Sequence, residues 1–279
     1  MKRVISPFAN DPRSNDELFH VAVSQFESEE AWRAISVLQF RGTREVFEKA
    51  ATLLRDEHSR TREVGVHILG QLGNTDAAFQ SESVPLLIAR LHDPSDAVVA
   101  AAATALGYRG DSQCVPYLLD LISHPNADVR LGVAIALGYY DEESAISGLI
   151  KLSQDDDAEV RNWATFGLGS QIDKDSSAIR AALWQRVTDE VPEIRGEALV
   201  GLARRKDNRI TQVIIRELNG KFYGIWPVEA AALLGDPVFY PHLISLKQRV
   251  RGRVETRLLE CIDKSIRICT PPNTAKHSY

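Results

Sequence analysis

Residues 160–169 read Val-Arg-Asn-Trp-Ala-Thr-Phe-Gly-Leu-Gly, and degraded copies of this stretch recur along the sequence. When the Leu of its Leu-Gly pair is aligned with similar places elsewhere, seven leucines fall in register. They are Leu38, Leu69, Leu106, Leu137, Leu168, Leu202 and Leu234. Their successive separations are 31, 37, 31, 31, 34 and 32 residues. Self-similarity at this period predicts stacked supersecondary units, each in contact with its neighbours.

The residue seven places before each of these leucines is called the anchor here, and it is arginine in four copies. The arginines are Arg62, Arg130, Arg161 and Arg195, and Ala31, Val99 and Pro227 take the place in the other copies. Apolar or small residues stand one place before, three after and seven after the anchor, as at Val160, Ala164 and Leu168. A spacing of four places these side chains on one face of a helix. The second helix of each unit therefore has a buried stripe.

An aspartate stands six residues before the anchor in four copies, at the turn between the two helices of a unit. In three of these copies the anchor is arginine. Carboxylates and guanidinium groups at the same spacing in stacked units can pair or cap along the stack. The pattern predicts a structural ladder rather than a catalytic acid-base set. Its predicted members are Asp56, Arg62, Asp93, Arg130, Asp155, Arg161, Asp189 and Arg195.

Turn residues and periodicity give the predicted organisation of the protein. Residues 1–13 form an irregular lead-in before Asn15 or Asp16 caps the first helix, residues 14–269 form one domain, and residues 270–279 form a disordered tail. Gly42 ends the second helix, and extra loop at 75–83 accounts for the spacing of 37 residues. Later helices are predicted at 43–56, 59–72, 84–91, 96–107, 115–122, 128–139, 144–152, 159–169, 177–188, 192–203, 210–218, 239–250 and 254–268.

Composition narrows the classes of function. The 279 residues are 44% hydrophobic and 25% charged, which is too apolar for a disordered protein. The net charge of −5 offers no general attraction to phosphate backbones, so nucleic acid is not the expected partner. Three cysteines without a CxxC pair indicate a reducing cytoplasm. No stretch has the roughly 18 apolar residues of a membrane span, so no membrane association is expected.

The second helices resemble HEAT repeats, specifically the short bacterial kind found in phycobilin lyase subunits. That kind carries an Asp, then Val-Arg, then an Ala-rich run ending in Leu-Gly, and the likeness covers residues 43–207 well. A set of motifs is similar to the bacterial YibA-like family of HEAT-repeat proteins. The motifs are Asp16-Glu17-Leu18-Phe19, Val37-Leu38-Gln39-Phe40-Arg41-Gly42, Ile68-Leu69-Gly70-Gln71, Val160-Arg161-Asn162-Trp163-Ala164 and Arg205-Lys206-Asp207. Resemblance and periodicity together predict an all-α, right-handed superhelix of about eight helical hairpins.

Motifs that would carry catalysis or bind a cofactor or metal are missing from the sequence. The seven histidines form no HExxH and share no short window with a cysteine or a second histidine, and there is no GxxxxGK[ST], GxGxxG or GxSxG. The acidic run Asp155-Asp156-Asp157 is read as a helix-capping turn, with a cation site as its alternative. We therefore predict no catalytic residue, no cofactor and no metal.

A partner surface is predicted on the second helices at positions one, five and nine after the anchor, which lie beside the buried stripe. Such positions are normally polar, but the middle repeats place apolar and aromatic residues there, and exposed patches of this kind mark interfaces. For Trp163 and Phe166 the alternative is that they fill gaps between adjacent second helices. The predicted surface, with a polar rim of Arg109, Arg204 and Glu197, consists of Tyr108, Arg109, Leu131, Ile135, Tyr139, Asn162, Trp163, Phe166, Glu197 and Arg204.

The favoured function is a monomeric, non-catalytic scaffold or inhibitor that binds another protein. The resemblance to YibA-like proteins, which are linked to Rhs-type toxin elements, implies an immunity role with a toxin domain as the partner. Two alternatives stay open. The likeness to phycobilin lyase subunits implies a lyase-like accessory enzyme, and the basic runs Arg204-Arg205-Lys206 and 247–253 with Arg257 indicate weak binding of nucleic acid.

Overall fold

All regular structure in the described part of the protein is helical. The computed structural model describes residues 8, 10–73, 78–220, 224–252 and 256–272. Within these residues sixteen α-helices follow one another as eight pairs, which confirms the predicted all-α class. Two compact units, residues 1–148 and 149–279, divide the helices, with the boundary inside α9 (Glu143–Leu152). The single domain over 14–269 stays a prediction.

The first unit contains four helix pairs. Each first helix packs on the second helix of its own pair, and α2, α4, α6 and α8 pack in succession. The eight helices are α1 (Asn15–Ser24), α2 (Glu29–Arg41), α3 (Arg44–Leu53), α4 (Ser59–Gly70), α5 (Gln80–Arg90), α6 (Asp96–Arg109), α7 (Val115–Asp120) and α8 (Ala127–Leu137).

The second unit repeats this arrangement, with α10, α12, α14 and α16 packed in succession. A π-helical turn at Gly167–Gln171 follows α10, and short 3-10 turns precede α13 and α15. Its helices after α9 are α10 (Ala158–Phe166), α11 (Ser177–Arg186), α12 (Pro192–Arg204), α13 (Thr211–Asn219), α14 (Ile225–Leu234), α15 (Tyr240–Val250) and α16 (Thr256–Cys269).

The apolar stripe of the second helices forms the core, as its spacing predicts. Val160, Ala164 and Leu168 are fully buried, and so are Val133 and Leu137 of α8. Small residues set the distance between neighbouring second helices. A Cβ atom at Gly132 of α8 would lie only 2.5 Å from a backbone carbonyl oxygen of α6. Substituting a larger residue there would force the two helices apart.

Two predicted helix starts are wrong, each for a local reason. Ser14, not Asn15 or Asp16, caps α1, because only Ser14 has a Glu three residues later to complete a reciprocal capping box. Helix α5 begins at Gln80 rather than at residue 84, after Phe79 turns the backbone with a positive φ of 59°. The extra loop is correspondingly shorter, and its residues 74–77, like most of the predicted lead-in and tail, lie outside the described residues.

Candidate functional site

The four ladder arginines bind the turn of their own repeat, and Arg62 also binds the following turn. Its Nη1 donates to the backbone oxygens of Asp56 and Glu57 in its own turn, at 2.9 Å each. Its Nε and Nη2 donate to the two carboxylate oxygens of Asp93 in the following turn, at 2.8 and 2.6 Å. Burial raises the pKa of the Asp93 carboxyl, but the bonds from Arg62 and from the Ser95 N–H outweigh it and leave that pKa below its usual value.

Arg161 also binds two consecutive turns in the second unit, with a single bond to the following carboxylate. Its Nη1 donates to the backbone oxygens of Asp155 and Asp156 at 2.8 and 3.0 Å, and its Nε donates to the buried Asp189 carboxylate at 3.3 Å. A partly buried guanidinium that ties one inter-helix turn to the next holds two repeats in register.

The remaining ladder residues also bind backbone groups. Nη1 of Arg130 donates to His124 O and Pro125 O at 2.8 and 3.1 Å, and Nη1 of Arg195 donates to Asp189 O and Glu190 O at 2.8 and 3.1 Å. The carboxylate of Asp56 accepts the His58 N–H at 2.8 Å. That of Asp155 accepts the Asp157 N–H at 2.9 Å.

A second series of contacts, ten residues after the anchor, was missed by sequence reasoning. Each donor binds the backbone oxygen of the leucine that stands seven places after the anchor of the preceding repeat. Nε of Arg109 binds Leu69 O at 2.7 Å, the Tyr140 hydroxyl binds Leu106 O at 2.6 Å, and Nη2 of Arg205 binds Leu168 O at 2.8 Å. These donors bind carbonyl groups near the C-terminal ends of helices, where backbone donors become few. The sequence signal that could have revealed this series is a hydrogen-bond donor side chain ten residues after the anchor.

Arg109 therefore does not belong to an exposed polar rim, and that part of the predicted surface is wrong. The residue is buried, and its guanidinium also reaches Leu72 O at 3.1 Å and Ala78 O at 3.2 Å. Burial lowers the pKa of the Arg109 side chain to about 10. Its long side chain turns inward because the helix C-terminal carbonyls beside it need donors.

Tyr108 and Tyr139 lie together on the surface of the first unit. Their rings meet edge to face with centroids 5.6 Å apart, and the two residues are 45% and 47% exposed. Leu131 and Ile135, two turns and one turn before Tyr139, are half-buried. The Tyr139 ring packs over Gly107, where a Cβ atom would lie 3.1 Å from Cδ2 of that ring. Four predicted surface residues thus come together on α6 and α8 and the turn after α8.

The other predicted surface residues lie in the second unit. Trp163 and Phe166 are half-buried and meet edge to face with centroids 5.7 Å apart, which fits gap filling as well as a surface role. Glu197 is half-buried and accepts hydrogen bonds from the Ser170 hydroxyl and the Trp226 indole. Arg204 is exposed, with Ser170 O 3.4 Å from its Nη1.

Asn162, the remaining predicted surface residue, is half-buried. Its Oδ1 is buried and meets no hydrogen-bond donor among the residues that the structure describes.

Two further exposed aromatic residues lie on α2, at places after the anchor that the rule used for Tyr108 also selects. Trp32 and Phe40 stand one and nine places after the first anchor, and they are 41% and 40% exposed. His67 stands five places after the second anchor, and its ring meets Trp32 edge to face at 4.8 Å. The surface prediction missed them because it considered only the middle repeats.

Four cationic side chains of the two basic runs that indicated nucleic-acid binding are engaged within the protein, whereas Arg204, Arg251 and Arg257 are exposed and Arg253 lies outside the described residues. Arg205 is buried, and Lys206 donates to Leu233 O. Lys247 pairs with Asp263 at 2.5 Å, and Nη1 of Arg249 donates to Gly220 O at 2.7 Å. Backbone carbonyls and a carboxylate thus take up cationic groups that a phosphate backbone would need.

The described residues contain neither a cluster of metal-binding side chains nor a membrane-spanning helix. No three or more of their His, Cys, Asp and Glu side chains are grouped so as to hold a metal ion. None of the helices in this part of the protein combines the length and the apolar character of a membrane span.

Comparison with known proteins identifies the repeat. Residues 84–169 match the family model described as HEAT repeats. Protein YibA of Escherichia coli strain K12 is 38% identical over 82 residues, and the aligned stretch spans 29% of this chain and 29% of that protein. The curated relative is therefore matched over less than a third of its length.

Solved structures extend the likeness over most of the sequence. The X-ray structure of Escherichia coli YibA has a TM-score of 0.68 at 26% identity, and the alignment spans 92% of both proteins. Importin beta has a TM-score of 0.67 at 15% identity over 96% of this protein and 42% of importin beta, which shows the fold alone. The predicted resemblance to HEAT repeats and YibA, and the predicted solenoid fold class, are confirmed.

Proposed function

We propose that this protein is a non-catalytic protein-binding scaffold or inhibitor, with Tyr108 and Tyr139 as its main contacts to the partner. The observation that carries the proposal is the exposed pair of tyrosine rings on α6 and just after α8. Tyrosine is enriched among the residues that contribute most to interfaces, because a rigid ring buries a large area at a small cost in conformational entropy.

The surroundings of the pair support a role in binding. Gly107 leaves room for the Tyr139 ring, and the edge-to-face contact with Tyr108 limits the rotamers of both side chains. A partner that covers the two rings therefore loses little side-chain entropy on binding. The half-buried Leu131 and Ile135 add apolar surface on the same helix face.

The kind of partner and its compartment are part of the proposal. The likeness to YibA, together with the link of YibA-like proteins to toxin elements, makes a toxin domain the first partner to test. Cys114, Cys261 and Cys269 are free thiols, and three free thiols fit a reducing cytoplasm. We propose that the protein acts there as a monomer.

The test replaces the tyrosines and uses an exposed tyrosine on a first helix as the control. Tyr108→Ala and Tyr139→Ala are compared with Tyr117→Ala in α7, where the side chain is 44% exposed. Each variant captures proteins from the native cell, captured proteins are identified by mass spectrometry, and the affinity of each candidate is then measured with purified protein. We expect Tyr139→Ala to weaken binding by at least about tenfold, at an unchanged melting temperature.

A captured protein counts as the partner only if Tyr139→Ala loses it and Tyr117→Ala keeps it. Equal binding by all three variants contradicts the proposed surface. A large fall in melting temperature for Tyr139→Ala would instead return this residue to the core.

A further inference from the structure

A cavity of about 290 Å³ lies in the second unit between α12, α13 and α14. Arg195 and Leu199 of α12, Glu217 of α13 and Trp226 of α14 line it. Its volume is near the lower end of the range for small-molecule sites. The cavity combines one cationic group, one anionic group and an apolar wall.

The apolar wall is fixed in place by two contacts of Trp226. A Cβ atom at Gly196 would lie 2.4 Å from the indole Cγ and Cδ2, so glycine at this position lets the ring lie against α12. The indole Nε1 donates to a carboxylate oxygen of Glu197 at 3.0 Å. The Trp226 ring is therefore a preformed surface rather than a mobile side chain.

Arg195 differs from Arg62 and Arg161 in what its Nε and Nη2 contact. Nη1 binds the two carbonyls of its own turn in all three residues. The Nε edge of Arg62 binds Asp93, and that of Arg161 binds Asp189. Nε and Nη2 of Arg195 have no acceptor among the described residues, because no carboxylate stands at the equivalent place in the next repeat. Arg195 thus has two donor groups for a carboxylate that the described residues do not supply.

Glu217 is the second charged residue that lines the cavity. Among the described residues, its carboxylate neither forms an ion pair within 4.0 Å, with Arg195 or any other cation, nor accepts a hydrogen bond. A ligand that carried a carboxylate alone would be repelled by Glu217. A ligand with an N–H donor close to its carboxylate would satisfy both side chains.

We propose that this cavity binds an α-carboxylate with a neighbouring N–H group, with an apolar side chain against Trp226 and Leu199. Arg195 donates to the carboxylate through Nε and Nη2, and Glu217 accepts from the N–H group. A free amino acid and the C-terminal residue of a polypeptide share this chemistry. The site is separate from the tyrosine pair, which lies on α6 and after α8 in the first unit.

The test titrates the full-length protein with three leucine derivatives at neutral pH by calorimetry. L-Leucine has both charged groups, N-acetyl-L-leucine keeps the carboxylate and an amide N–H as the last residue of a polypeptide does, and L-leucinamide has no carboxylate. We expect one molecule of L-leucine or of N-acetyl-L-leucine to bind per protein molecule, and L-leucinamide to bind at least tenfold more weakly. Tighter binding of L-leucine would identify the ligand as a free amino acid. Tighter binding of N-acetyl-L-leucine would identify it as the C-terminal residue of a polypeptide.

Variants assign the two charged residues. Arg195→Met is expected to weaken binding of either carboxylate at least tenfold. Because this change also removes bonds to the turn carbonyls, Glu217→Gln is measured in parallel. Glu217→Gln is expected to weaken the binding of L-leucine at least tenfold. The affinity for N-acetyl-L-leucine is expected to change by less than threefold. Glu193→Gln, at an exposed residue in the first turn of α12, is the matched control and is expected to bind as the wild type does.

Three results overturn the proposal. They are no saturable binding of either carboxylate, equal binding of L-leucinamide, and unchanged L-leucine affinity in both Arg195→Met and Glu217→Gln. None of them bears on the tyrosine pair, and loss of partner capture in Tyr139→Ala leaves this site untouched, so the two proposals fail independently.

Discussion

Arg205 is a buried cation that is bound mainly by backbone carbonyl oxygens. Its guanidinium binds Leu168 O and Ile172 O at 2.8 Å each, Lys174 O at 2.7 Å and Gly201 O at 3.0 Å. Burial lowers the pKa of its side chain. Carbonyl oxygens at helix ends carry partial negative charge, and several of them together stabilise a guanidinium that water no longer reaches.

Arg205→Met is predicted to lower the free energy of unfolding by about 2–4 kcal/mol, because it leaves several buried carbonyl oxygens without a donor. Urea unfolding at neutral pH measures the loss. The neighbouring Arg204→Met is the control, since Arg204 is exposed, and its effect is expected to stay within about 0.5 kcal/mol. Equal effects of the two changes would contradict the structural role of Arg205.

Asp207, two residues further on, gives a prediction on pH. Its buried carboxylate accepts hydrogen bonds from Nε and Nη2 of Arg209 at 2.8 and 2.5 Å. These bonds are the main reason that the pKa of Asp207 is lowered from 3.8 to about 2. The ionised form is favoured in the folded protein. The contribution of this carboxylate to the free energy of unfolding is therefore complete above a pH of about 4 and is lost as the pH falls toward about 2.

Asp207→Asn is predicted to be less stable than the wild type by about 2 kcal/mol at pH 7, and the difference should shrink between pH of about 4 and about 2.5. Urea unfolding of both proteins across this range measures it. Other lowered carboxyls, such as Asp11, act in both proteins and cancel in the comparison. A difference that does not change with pH would rule out ionisation of Asp207 as its cause.

At the scale of the element, the spacing of apolar residues determined which face of each second helix is buried. Leu137 of α8 is fully buried and packs toward Gly148 of α9, where a Cβ atom would lie 2.7 Å from the leucine Cδ1. Leu131 of the same helix is only half-buried. The two leucines differ in their place relative to the anchor, so together they test the assigned register.

Leu137→Ala is predicted to lower the free energy of unfolding by about 2–5 kcal/mol, because the methyl groups that it removes leave a cavity in a packed core. Leu131→Ala is the matched control and is expected to cost less than about 1.5 kcal/mol, since its side chain is already in partial contact with water. Both are measured by urea unfolding. Similar losses for the two variants would mean that the register of the repeat is wrong.

At the scale of the whole molecule, the repeats of each unit bury their apolar faces against neighbouring repeats. Stacking of this kind builds a core from short helices and leaves preformed surface on the second helices, which suits contact with another macromolecule. In the acidic run that was the alternative cation site, the carboxylate of Asp155 accepts the Asp157 N–H, and that of Asp157 accepts the N–H groups of Glu159 and Val160.

The purified protein is therefore predicted to show no absorbance beyond the aromatic band and no stoichiometric metal. An absorption spectrum and elemental analysis by mass spectrometry check this, with a buffer blank carried through the same purification as the control. A bound chromophore or one equivalent of zinc would contradict the prediction and would favour the lyase-like alternative.

The sequence by itself determined the repeat, the helical class and the buried stripe, because each depends on spacing within one helix or on a period along the sequence. The same spacing selected Tyr108 and Tyr139, and the structure places them side by side. Local reasoning was wrong where two signals competed within a few residues, as at Ser14, where a reciprocal capping box prevailed over the next polar residues.

Only the tertiary structure decided which charged side chains turn inward. Arg109 and Arg204 both read as exposed arginines at helix ends, but Arg109 lies beside carbonyls of the preceding repeat and is buried, while Arg204 is not. The cavity beside Arg195 was equally invisible, because it depends on a carboxylate missing from the next repeat and on Trp226 packing over Gly196. A hydrogen bond between repeats joins residues about 30 positions apart, and spacing within one helix does not reveal whether its partner is present.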